Sequence, residues 1–101
     1  MAYYEASKYK DKKWIGLRSA VLARDEYICQ ECKRKGKTIP ADTVHHIDPI
    51  DGSLFYDSGN LISFCSSCHN KMHDRNTDKL TELGKKWLLR ARRGLVKKII
   101  A

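Results

Sequence analysis

The sequence predicts a small α+β domain in which a strand, a loop, a second strand and a helix form the centre, stapled by four cysteines and flanked by N- and C-terminal helices. Three observations predict it. A chain of 101 residues suits one domain and leaves a modest core, so reinforcement is expected. The cysteines fall into two Cys-x-x-Cys pairs, Cys29 with Cys32 and Cys65 with Cys68. Apolar residues follow helical spacing near both ends, while the middle holds short strand-like runs.

From Asp11 to Asp25, residues Trp14, Leu17, Val21 and Leu22 recur at helical spacing, giving an apolar face opposite Lys13, Arg18 and Arg24. Tyr27 to Cys32 reads as a metal knuckle, followed by the basic turn Lys33 to Lys37, where Gly36 supplies turn freedom. Thr43 and Val44 lead a first strand into His45, His46 and Ile47. Asp48-Pro49 and Asp51-Gly52 break it into a loop that lasts until about Asn60. Asp48, Asp51 and Asp57 are read as turn residues, since Asp beside Pro or Gly is common there. Leu61 to Phe64 is the second strand. Cys65 to Cys68 opens a helix, with Ser66 or Ser67 as its cap, expected to run through His69, Asn70 and His73. Thr77-Asp78 reads as another helix start, and Leu80, Leu83, Trp87 and Leu88 continue at helical spacing until Gly94, before a basic amphipathic tail. Trp87 is assigned to the core. No repeat or linker divides the chain, so the expectation is one domain over 1–101, with a motif core at about 24–73 and basic helical flanks at 8–23 and 77–101.

Twenty Lys and Arg against 12 Asp and Glu give a net charge of +8, which points to a polyanionic partner. No Lys or Arg occurs from Thr38 through Asn70. Basic flanks can therefore grip a nucleic acid while a centre without Lys or Arg performs chemistry, because phosphate contacts need not lie at the reacting bond. The N-terminus MAYYEASKYKDKKW has no apolar run of a signal peptide and no segment is long enough to span a membrane, so a cytoplasmic protein without a membrane partner is expected. A reducing compartment favours zinc thiolates over disulfides.

Two thiolates from one tight turn can occupy two corners of a tetrahedral zinc site, and two such pairs complete it. A Cys2His2 finger of Cys29, Cys32, His69 and His73 would need a far shorter spacer. A local site of Cys65, Cys68, His69 and His73 would leave the first pair without purpose. The expected structural zinc ligands are therefore Cys29, Cys32, Cys65 and Cys68, which leave no open position for chemistry.

All four histidines then remain. His69 and His73, four residues apart, would share one face of a helix and could clasp a single cation. His45 and His46 are adjacent at a strand end. At His45-His46-Ile47, Asn60-Leu61 and Cys68-His69-Asn70-Lys71-Met72-His73 the sequence resembles the HNH nuclease family, including the colicin DNases and small nucleases encoded beside phage packaging genes. The resemblance covers roughly Arg24 to His73. It implies a ββα-metal core, DNA as substrate, His46 as general base, Asn60 as the residue fixing the loop behind it, and His45, His69 and His73 as ligands of a catalytic divalent metal. It also implies products with 5′ phosphate and 3′ hydroxyl. Many members carry Asp at the position of His45. The all-nitrogen set here suits zinc, nickel, cobalt or manganese better than magnesium. A phage terminase is a further candidate partner. The competing readings are a zinc-ribbon DNA-binding module without catalysis and a packaging accessory protein. Because neighbouring strand residues point to opposite faces, the first strand is expected to end or twist sharply if His45 and His46 serve one site.

Overall fold

In the computed structural model, which describes residues 6–77 and 79–99, the Asp11 carboxylate accepts the Lys13 N–H at 3.1 Å and starts helix α1, Lys12–Arg24. Such an acceptor satisfies one of the donors that a helix start leaves without a partner. The helix buries Trp14, Val21 and Leu22. Beyond its cap Asp25, Glu26 and Tyr27 adopt φ of 57° and 59°, the left-handed region. The Tyr27 N–H reaches back to the Leu22 carbonyl at 2.8 Å, so two strained residues turn the chain sharply into the first cysteine pair. Helix α2, Gln30–Arg34, follows, and Gly36 at φ 81° closes the knuckle.

Strands β1, Thr43–His46, and β2, Leu61–Phe64, pair antiparallel with Val44 opposite Ser63 and His46 opposite Leu61. This register sorts the interior. Ile62 and Phe64 face a cluster with Cys29, Cys32, Met72 and Trp87, whereas Val44 and Leu61 face Trp14, Val21 and Phe55 on α1 and the loop. Strand alternation thus sends His45 and His46 to opposite layers. β1 ends at His46.

Helices α3, Ser66–Asn70, and α4, Glu82–Arg92, complete the order. Trp87 is buried, and its indole N–H donates to Glu31 at 3.0 Å. The structure departs from the sequence expectations at four places. Neither Ser66 nor Ser67 caps α3; Cys65 holds that position, and the Ser66 hydroxyl donates to Asp42 at 2.9 Å. The α3 helix stops at Asn70, short of His73: the Lys71 and Met72 N–H groups tighten onto the Cys68 and His69 carbonyls at 3.0 Å each, and Thr81 holds the turn that follows, taking the Lys71 carbonyl through its hydroxyl (2.6 Å) and the Met72 carbonyl through its N–H (3.0 Å). The final helix starts at a Thr81 cap whose hydroxyl accepts the Gly84 N–H at 3.2 Å, not at Thr77; Asp78 lies outside the described residues. The C-terminal flank is not helical past Arg92. Gly94 at φ 72° reverses the chain, and the next residues return over the loop, where the Ile99 N–H donates to the Ser58 hydroxyl at 2.7 Å. No helix among the described residues is long and apolar enough to cross a membrane.

Candidate active site

The two knuckles bring Cys29, Cys32, Cys65 and Cys68 together, with their sulfurs all within 4.8 Å of one another. Cys32 Sγ lies 3.6 Å from Cys68 Sγ and 4.0 Å from Cys65 Sγ. Zinc–sulfur bonds of about 2.3 Å in a tetrahedron place sulfurs about 3.8 Å apart, so the spacing fits a zinc ion and is too wide for a disulfide. Burial and the neighbouring thiols push the Cys68 thiol up, the expected result of crowding groups that must ionise to bind metal. A dication removes that conflict.

A second cluster forms where β1, α3 and the segment before α4 meet. Ring nitrogens of His45, His69 and His73 all lie within 4.8 Å of one another. The His45 ring centre stands 5.1 Å from that of His69 and 5.1 Å from that of His73. His69 is delivered by α3. His73 arrives by a different route from the expected shared helix face: it forms an isolated bridge with Leu80, so the turn beyond α3 swings it back toward His45. His45 is 1% exposed, and neither of its ring nitrogens has a hydrogen-bond partner. An imidazole buried with both nitrogens unsatisfied is costly unless a cation takes a lone pair. Burial, with His69 and His73 beside it, holds His45 well below the usual imidazole range, and burial lowers His69 as well. All of this favours the neutral, ligating form. Three protein nitrogens would leave a fourth position open, the arrangement that distinguishes a catalytic metal site from a closed one.

His46 occupies the other layer. Its ring stacks on Trp14 at 5.0 Å between centres and tilts against Phe55 at 4.6 Å, with the edge of Tyr9 at 5.9 Å. Its Nε2 lies 3.2 Å from the Phe55 carbonyl oxygen. A carbonyl only accepts, so Nε2 carries the proton and the lone pair is on Nδ1. Burial lowers His46 to about 4 against the opposing effect of the Phe55 carbonyl, with His69 adding to the depression. The ring is therefore neutral near pH 7.

Asn60 is buried beneath the loop between the strands. Its Oδ1 accepts the Asp48 N–H at 2.7 Å, its Nδ2 donates to the carbonyls of Asp48 (3.2 Å) and Leu54 (3.4 Å), and its own carbonyl accepts the Ile47 N–H at 2.8 Å. Within that loop Asp48, Asp51 and Asp57 accept backbone N–H groups two or three residues on, which is turn chemistry. Sequence reasoning missed the aromatic slot around His46 and the role of Arg24, whose guanidinium lies beneath this loop. Trp14 and Arg24 were visible only as the apolar and polar faces of a helix.

A family model for HNH endonuclease matches residues 29–75. The chain is also similar to the crystal structure of the HNH endonuclease of the deep-sea thermophilic bacteriophage GVE2 with manganese ion, at 35% identity over 86% of this chain and 82% of that one, with a TM-score of 0.62. No curated protein matches the chain.

Proposed function

The chain belongs to the HNH endonuclease family, and from that premise we propose that it is a metal-dependent DNA endonuclease with His46 as general base and His45, His69 and His73 as ligands of the catalytic metal. The observation that carries the reading is the three-imidazole cluster, with the unsatisfied ring of His45 at its centre, one residue before a neutral His46. His45, His69 and His73 would hold a divalent cation, which would supply Lewis acidity to the scissile phosphate and its leaving group. His46 takes the proton of the attacking water on Nδ1, while the Phe55 carbonyl holds the Nε2 proton and so selects the tautomer. Trp14 and Phe55 fix the plane of the ring. Asn60 keeps the backbone behind His46 in place through its bonds to Asp48 and Leu54. General base catalysis of this kind contributes about 10²–10⁴-fold.

The nitrogen-only donor set favours manganese, zinc, nickel or cobalt over magnesium. One base and one metal set per chain cut one strand in each event, so nicking is the primary reaction. The four cysteines hold a structural zinc that the chemistry does not use. Similarity to a bacteriophage enzyme supports a role in phage DNA processing. Supercoiled plasmid incubated with the protein and a panel of divalent metals tests the reading: open-circular product should appear first, with manganese among the active metals. Binding without cleavage under every metal would replace it with a zinc-stapled DNA-binding module.

A further inference from the structure

Arg24 lies at the end of α1 and is 12% exposed. A guanidinium has five N–H groups, and all five are engaged. Nε and Nη2 form a fork on the Asp25 carboxylate at 2.9 and 3.0 Å. Nη1 donates to the carbonyls of Ser58 (2.8 Å) and Lys97 (2.7 Å), and Nη2 also donates to the carbonyl of Leu61 (2.6 Å). Asp25 is fixed in turn by the Ser63 N–H of β2 at 2.9 Å. No donor remains for a phosphate, so this cation is not a DNA contact.

The acceptors share a location. Ser58 and Leu61 lie on either side of Asn60, and Lys97 belongs to the returning C-terminal segment, where Ile99 bonds Ser58 and Lys98 pairs with Asp57 at 3.7 Å. Building on the nuclease reading above, we propose that Arg24 is a positioning residue for hydrolysis: it clamps Ser58–Leu61 against β2 and the C-terminal segment, and so fixes Asn60 and the backbone that follows His46. A lysine has one nitrogen and cannot reach carbonyls on separate segments, which explains why the planar fork is used. Any shift of Asn60 passes directly to Ile47 and Asp48, and a displacement of about 1 Å at a reacting group costs about 10²-fold.

The test is a double-mutant cycle of Arg24→Lys and Asn60→Ala, read as kcat and KM for manganese-supported plasmid nicking by zinc-loaded, folded protein. Arg24→Lys should lower kcat by about 10–10²-fold and leave KM within about twofold. The double variant should be no slower than Asn60→Ala alone, because both act through one group. Unchanged kcat, a raised KM with kcat intact, or additive losses would overturn the proposal. If Arg24→Lys loses zinc and helicity, Arg24→Gln takes its place in the cycle; failure of both to fold would assign Arg24 to folding alone and also overturn it. A wild type that never cleaves would instead bring down the nuclease reading, and this proposal with it.

Discussion

Asn60 and Asp48 hold each other across the loop between the strands: one amide side chain accepts the Asp48 N–H at 2.7 Å and donates to the Asp48 carbonyl at 3.2 Å. The pair closes a loop whose first residue stands two positions after His46. Asn60→Asp keeps the shape and one acceptor but removes both donors, leaving the Asp48 and Leu54 carbonyls facing a carboxylate. Stability should fall by about 1–3 kcal/mol, seen in urea unfolding, and nicking should slow by about 10-fold or more in the protein that stays folded. Unchanged stability together with unchanged nicking would show that the amide does not fix the loop.

The cysteine cluster supports folding. Its sulfurs sit among Ile62, Phe64, Met72 and Trp87, so a metal held by them would join the two knuckles to the core beneath β2. Cys29→Ser or Cys65→Ser should release one equivalent of zinc and melt the chain cooperatively, because metal binding energy in a closed site is folding energy. Zinc release followed by a chromogenic chelator, with circular dichroism in parallel, reads both. A folded, zinc-free Cys29→Ser protein would refute the assignment.

Much of this was legible in the sequence because the signals are local. Two Cys-x-x-Cys pairs, an Asp-Pro break after His46 and the Leu61 to Phe64 run specify knuckles, strands and loop within a few residues each. What was not legible depends on distant partners. The spacing of His69 and His73 satisfies a helix, but α3 tightens and ends at Asn70 and Thr81 holds the Lys71 and Met72 carbonyls of the turn beyond, so His73 reaches the cluster from that turn. Arg24 resembles any solvated helix residue, since its acceptors Ser58, Leu61 and Lys97 lie far along the chain. The stacking of Trp14 on His46 is hidden for the same reason.

The placement of His73 depends on one close approach. A Cβ on Gly84 would collide with the Met72 carbonyl oxygen, the residue before His73, and would press on Leu80, its bridge partner. Gly84→Ala must therefore push α4 away from this turn. Overpacking of this kind costs about 1–3 kcal/mol, and the displaced His73 should weaken manganese binding at the histidine cluster while the structural zinc stays bound. Calorimetric titration of manganese into zinc-loaded protein checks the effect. Wild-type affinity in Gly84→Ala would mean that His73 does not depend on this contact.

In the proposed site, base and metal ligand are separate functions of the neighbouring histidines His46 and His45. His46 fills a slot between Trp14 and Phe55, so truncation to Ala would open a void; Gln keeps much of the volume and cannot serve as the base. The decisive measurement is the rate of manganese-supported plasmid nicking by His46→Gln, with manganese affinity, zinc content and DNA affinity determined on the same preparation. All three binding properties should match the wild type while cleavage falls by about 10² or more. Cleavage at the full rate by His46→Gln would contradict the account.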